Sequence, residues 1–131
     1  MTQYRFSEAF QPAAPMLPVH VGGITEDAPA VLLQMLVDTG ADCSLIPEQL
    51  AHRLRLPQVD KVSIVGVGGQ ALPVLIYAAR MRIGPLRVLA RIAAYGDEAL
   101  LGRELLNQLV LRFEGPEQLL HVPTRPRTLR R

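Results

Sequence analysis

Apolar and polar positions change their period several times along the chain, and each change marks an element. Leu17–Val21 is a short apolar-rich run closed by Gly22-Gly23, the pattern of a strand ending in a turn. After the polar loop 24–30, Val31–Val37 is almost continuously apolar and stops abruptly at Asp38-Thr39-Gly40, which predicts a strand buried on both faces. Pro47–Leu56 fits a short helix, with Pro47 in the first turn and Leu50 and Leu54 on one face. From residue 59 the period falls to two. Val62 and Ile64 alternate with Lys61 and Ser63, and Val65-Gly66-Val67-Gly68-Gly69 leads to a second run, Leu72–Tyr77. This predicts a hairpin with a glycine-rich tip. Pro73 sets its second strand at an edge or away from the main sheet. Arg80–Ile83 and Val88–Ile92 alternate around a Gly84-Pro85 turn. Leu100-Leu101-Gly102 is an apolar stub running into a helical stretch, Arg103–Gln108. A last hairpin fits Leu109–Phe113 and Leu119–Val122. Many short strands and one or two short helices predict an all-β domain closed into a barrel.

The length, 131 residues, allows one domain. The expected division is a flexible arm over 1–15, a folded body over 16–122 and a basic tail over 123–131. Apolar residues are 49% and charged residues 20% of the chain, a globular balance that excludes wholesale disorder. A single cysteine, Cys43, excludes an intramolecular disulfide and a thiolate metal cluster. His20, His52 and His121 show no metal-ligand spacing, so no metal and no cofactor are expected. The first fifteen residues lack the basic-then-apolar pattern of a signal peptide, and no apolar run reaches the length of a membrane span. The expectation is a cytoplasmic protein without a membrane partner. The formal charge of +2 comes from the tail, where Arg125, Arg127, Arg130 and Arg131 lie. Without them ten basic groups face twelve acidic ones. That distribution argues against nucleic acid as a partner of the body and leaves only the tail to touch it.

The candidate chemistry is at Asp38-Thr39-Gly40. A carboxylate at the end of an apolar strand is costly unless hydrogen bonds or chemistry compensate for it. By itself the tripeptide reads equally well as a β-turn. Two further segments change that balance. Leu36-Val37-Asp38-Thr39-Gly40-Ala41-Asp42 resembles the active-site motif of retropepsin-like aspartic proteases. Ile64-Val65-Gly66-Val67-Gly68-Gly69 resembles their glycine-rich flap, and Leu100-Leu101-Gly102-Arg103 resembles the segment that leads into the helix of that fold. The three follow in the family's order, over residues 16–122.

The resemblance implies a retropepsin-like closed β-barrel, the half-size form of an acid protease, with a flap hairpin. It also implies an aspartic endopeptidase that hydrolyses peptide bonds in extended substrates. Such chemistry needs a base to activate water and an acid to protonate the carbonyl oxygen, and two carboxylates about 3 Å apart with one shared proton do both. The chain holds one Asp-Thr-Gly, so the second carboxylate is expected from a second copy of the chain in a C2 homodimer. By resemblance, Asp38, Thr39 and Gly40 are the catalytic loop. Leu36, Ala41, Asp42, Leu45, Ile64, Val65, Gly66, Val67, Gly68 and Leu100 would contact the peptide, with Val67 at the flap tip. Gly102 and Arg103 would support the site, and Arg103 is expected to pair with Asp42. Cys43, beside the cleft, reads as either an inert small hydrophobe or an oxidisable thiol, and Glu98 as either a pocket residue or a solvated loop residue. A non-catalytic dimerisation module on the same fold is the alternative.

Overall fold

The computed structural model describes residues 2–66 and 68–123. Ten strands and two short helices make up this part of the chain. β1 (Thr2–Arg5), β10 (Leu119–Val122) and β9 (Arg112–Glu114) form a small antiparallel sheet in the order β1-β10-β9. The larger sheet has the order β2-β3-β8-β4-β7-β6-β5, built from β2 (Met16–Gly22), β3 (Ala30–Val37), β4 (Leu45–Ile46), β5 (Gln58–Val65), β6 (Ala71–Ile83), β7 (Leu86–Ala94) and β8 (Leu100–Leu101). β2 also pairs with β6 at His20–Gly22, which closes six strands into a ring and leaves β5 attached through β6. Leu17, Val19, Val21, Met35, Ile46, Met81, Ile92 and Leu101 point into the ring and are almost fully buried. The expected all-β body is present.

Several elements differ from the pattern-based expectation. The arm over 1–15 contains β1, which pairs with β10 along its whole length. Tyr4 and Phe6 alternate with Gln3 and Arg5 and pack against the core, so the short alternation is enough once β10 supplies a partner. β3 is buried on one face only: Met35 and Val37 face the core, whereas Leu32 is 55% exposed. The runs at 72–77 and 80–83 are one thirteen-residue strand. Ala78-Ala79 looks like a break in sequence, but Ala79 is fully buried opposite Ala90 of β7, and a small side chain fits there. Pro73 pairs with Ser63 of β5, short of the point where β7 joins at Leu75, so its missing N–H removes no second ladder. The last hairpin pairs Arg112–Glu114 with Leu119–His121, and Leu109–Leu111 lie outside it.

The helices are shorter than their patterns. α1 (Glu48–Arg53) follows Pro47 and ends as Arg55 takes a positive φ of 52°. α2 (Arg103–Leu106) is a single turn that buries Leu105 and Leu106. His121 is also buried, with Nε2 3.3 Å from the Glu114 carboxylate across the β9–β10 pair.

Candidate active site

The loop after β3 is held from three sides by backbone bonds. The Leu36 N–H donates to Ala99 O, the Val37 N–H to Pro15 O and the Asp38 N–H to Leu101 O, at 2.9–3.0 Å. β3 and β8 run parallel, with Leu36 opposite Leu100 and Val37 opposite Leu101. Asp38 therefore emerges at the end of a pinned strand. Its Oδ1 accepts the Gly40 N–H at 3.0 Å, and its carbonyl accepts the Ala41 N–H at 3.2 Å. A Cβ at Gly40 would come within 3.2 Å of that carboxylate oxygen, so glycine keeps the donor close without crowding it. Asp38 is half-buried, and Thr39 and Gly40 are exposed.

α2 supports the loop from below. Arg103 Nη1 donates to Thr39 O at 2.8 Å, and the Arg103 N–H donates to Ala41 O at 2.9 Å. The expected Arg103–Asp42 ion pair is absent among the described residues; the Thr39 carbonyl takes the guanidinium instead, and Asp42 is exposed. A carbonyl at the end of a tight turn is an unsatisfied acceptor, and the guanidinium donor closes it.

Two residues passed over in the sequence complete this support. Ser44 is fully buried; its Oγ accepts the Gly102 N–H at 2.9 Å and donates to Glu104 Oε1 at 2.7 Å. The Ser44 N–H donates to the other oxygen of the same Glu104 carboxylate. Gly102 sits against Cys43 so closely that a Cβ would stand 2.6 Å from the Cys43 carbonyl carbon. The only sequence signal was a polar residue between Cys43 and the apolar Leu45-Ile46.

The apolar candidates fall into one neighbourhood. Leu36, Leu100 and Leu45 are consecutive partners across β3, β8 and β4, all half-buried. Leu45, Cys43 and Ile64 pack on a second small cluster of Val74, Ile76 and Ala93, separate from the main core. That cluster joins the foot of the β5–β6 hairpin to the loop bearing Asp38. Ala41 is half-buried at the turn. Val65, Gly66 and Gly68 are exposed at the hairpin tip, where the Gly66 N–H donates to Gln70 O and Gly68 and Gly69 hold φ of 95° and 78°. Those two φ values require glycine. Val67, expected at the tip, lies outside the described residues. Glu98 is an exposed loop residue. The Cys43 thiol is pushed up from its ordinary value, first by burial and then by the negative charges of Asp42 and Glu104. It is therefore a protonated, weakly reactive thiol at neutral pH.

Comparison with known proteins agrees with this geometry. A family model described as aspartyl protease matches residues 17–111, and the chain belongs to that family. No curated protein matches. Among solved structures, EIAV protease complexed with the inhibitor HBY-793 aligns with a TM-score of 0.57 and 23% identity, covering 72% of this chain and 86% of that chain. The fold is thus that of a retroviral-type protease.

Proposed function

We propose that the chain is an aspartic endopeptidase active as a homodimer, in which the Asp38 carboxylates of two copies share one proton and activate a water molecule. The observation that carries this reading is the Asp38-Thr39-Gly40 loop: its carboxylate is positioned by the Gly40 N–H, partly open to solvent, and backed by Arg103 and the Ser44–Glu104 network. An isolated β-turn would not need such bracing. One chain offers half of the acid–base pair, and a twofold axis beside Asp38 would supply the other half.

In this reading one Asp38 is ionised and draws a proton from water as the oxygen attacks the peptide carbonyl. The other, protonated, donates to the carbonyl oxygen. Thr39 and Gly40 lie beside the axis, Leu36, Ala41, Leu45, Ile64 and Leu100 line apolar side-chain pockets, and Asp42 offers a carboxylate to the peptide backbone. Val65, Gly66, Val67 and Gly68 form the flap, which covers an extended peptide through main-chain hydrogen bonds. Folded residues 16–122 constitute the catalytic domain.

The test is cleavage of a diverse peptide library between pH 4 and 7 by wild type and by Asp38→Asn, with a statine inhibitor as competitor. The expected result is cleavage by wild type alone, blocked by the inhibitor. Equal cleavage by both proteins, or by neither, overturns the reading; a stable dimer without cleavage favours the dimerisation module.

A further inference from the structure

A second concave site lies on the outer face of the ring, away from Asp38. It is a cavity of about 440 Å³ whose floor is the sheet where β2, β6 and β7 meet. Strand register puts His20, Arg82 and Arg87 in one row and Gly22, Arg80 and Leu89 in the next, all on the same face. Leu32, opposite His20 on β3, is six residues from Asp38, roughly 20 Å of extended strand. The site is therefore distinct from the protease centre.

Three arginines, Arg80, Arg82 and Arg87, line this cavity against a single carboxylate. Among the described residues Arg80, Arg82 and Arg87 form no ion pair, whereas Arg91, two residues beyond Leu89, is neutralised by Asp60 at 2.6 Å. Glu26 is the one carboxylate among the lining residues. One Arg82 nitrogen lies 3.3 and 3.4 Å from the two ring nitrogens of His20. That nitrogen hydrogen-bonds to the imidazole, so one end of the Arg82 guanidinium is anchored on His20. The contact orients Arg82, and its Nε and Nη1 make no other hydrogen bond among the described residues. Gly22 opposite Arg80 carries no side chain, so the floor stays open. A Cβ at Gly22 would meet Ala30 Cβ at 3.1 Å, so the opening is a consequence of tight β2–β3 packing.

We propose that this cavity is an anion site for a small phosphate-bearing molecule, its phosphate held by Arg80, Arg82 and Arg87 and its remainder lying against Leu89 and Ile24. Forked donors in threes suit the oxygens of a phosphate, and the volume is that of a small-molecule site. The exposed Leu89 and Ile24, at 64% and 49%, give the same cavity an apolar wall.

The experiment is isothermal titration calorimetry of the full chain with inorganic pyrophosphate at fixed ionic strength, with citrate as the tricarboxylate comparison. Saturable binding of one pyrophosphate per chain is expected. It should weaken at least about tenfold in Arg80→Gln/Arg82→Gln, as befits loss of charge-assisted bonds. Leu89→Glu, at an exposed position opposite Arg80, places a carboxylate over the site and should weaken binding comparably, so the test survives if the double variant fails to fold. Replacing Arg125, Arg127, Arg130 and Arg131 by Gln should leave binding unchanged. Affinity that is unchanged in folded Arg80→Gln/Arg82→Gln and Leu89→Glu overturns the proposal, as does loss of binding in the tail variant. Tighter binding of citrate than of pyrophosphate, or binding of a single-stranded oligonucleotide with no pyrophosphate saturation, also overturns it.

Discussion

Gly102→Ala tests whether the contact beneath the Asp38 loop has the tightness the structure gives it. The backbone φ of Gly102 is −93°, which any residue adopts, so the substitution acts only through space. The added Cβ would stand 2.6 Å from the Cys43 carbonyl carbon, 2.8 Å from its oxygen and 3.0 Å from its Cα. An ordinary contact lies near 3.5 Å, so one of the two backbone segments must move by about 1 Å. Both are pinned: Gly102 by the Ser44 hydroxyl, and the 38–44 loop by Arg103 and Glu104. Overpacking costs about 1–3 kcal/mol, and disturbing the buried Gly102–Ser44 bond adds about 1–3 kcal/mol. The sum, about 2–6 kcal/mol, is a large part of the stability of a domain this size. Equilibrium urea denaturation monitored by circular dichroism measures it. Gly115→Ala, where no atom lies within 4 Å of the new methyl, is the control and should change stability by less than about 1 kcal/mol. A Gly102→Ala loss below about 0.5 kcal/mol would show that the loop and α2 are not in the close contact on which the bracing argument depends.

Ser44→Ala removes the acceptor for the buried Gly102 N–H and the donor to Glu104 and should cost about 1–3 kcal/mol. Peptidase activity should fall with it, and urea denaturation together with a peptide-cleavage assay reads both effects. Because burial and two nearby carboxylates raise the Cys43 pKa, the thiol should alkylate with iodoacetamide much more slowly at pH 8 than a free cysteine does. The folded state holds the thiol proton more tightly than the unfolded chain, so this group favours folding below the ordinary thiol pKa. That contribution fades as pH rises through the raised value. Cys43→Ser should therefore show less alkaline loss of stability than wild type in pH-dependent denaturation, and an equal loss would contradict the assignment.

The sequence was most legible where one residue type answers one need. Asp38-Thr39-Gly40 after an apolar strand, glycines at a hairpin tip and the Leu-Leu-Gly-Arg stub all stand where the structure uses them. The order of these three motifs pointed to the fold, because each has a fixed place in it: the end of β3, the β5–β6 turn and the start of α2. Legibility failed where a partner distant in sequence decides the outcome. β1 is too short to form alone and exists through β10. The two-alanine step in β6 reads as a break until Ala90 of β7 is known to lie opposite Ala79. Arg103 has two acceptors within its loop, and sequence offers no means of preferring the Thr39 carbonyl over the Asp42 carboxylate. Ser44 and Glu104, sixty positions apart, give no local sign of their bond. The arginines of β6 and β7 alternate as ordinary solvent-facing residues do, and only the register collects three of them over one cavity.

The central claim is that catalysis needs one Asp38 from each of two chains, and a mixing experiment tests it most directly. Wild type at a concentration where every chain is dimeric is equilibrated with a ninefold excess of Asp38→Asn, and peptide cleavage is measured against wild type alone. Random pairing leaves about a tenth of the original number of wild-type pairs, so activity should fall to about a tenth. Activity that is undiminished by the excess variant would mean that a single chain carries the whole reaction, and would contradict the account.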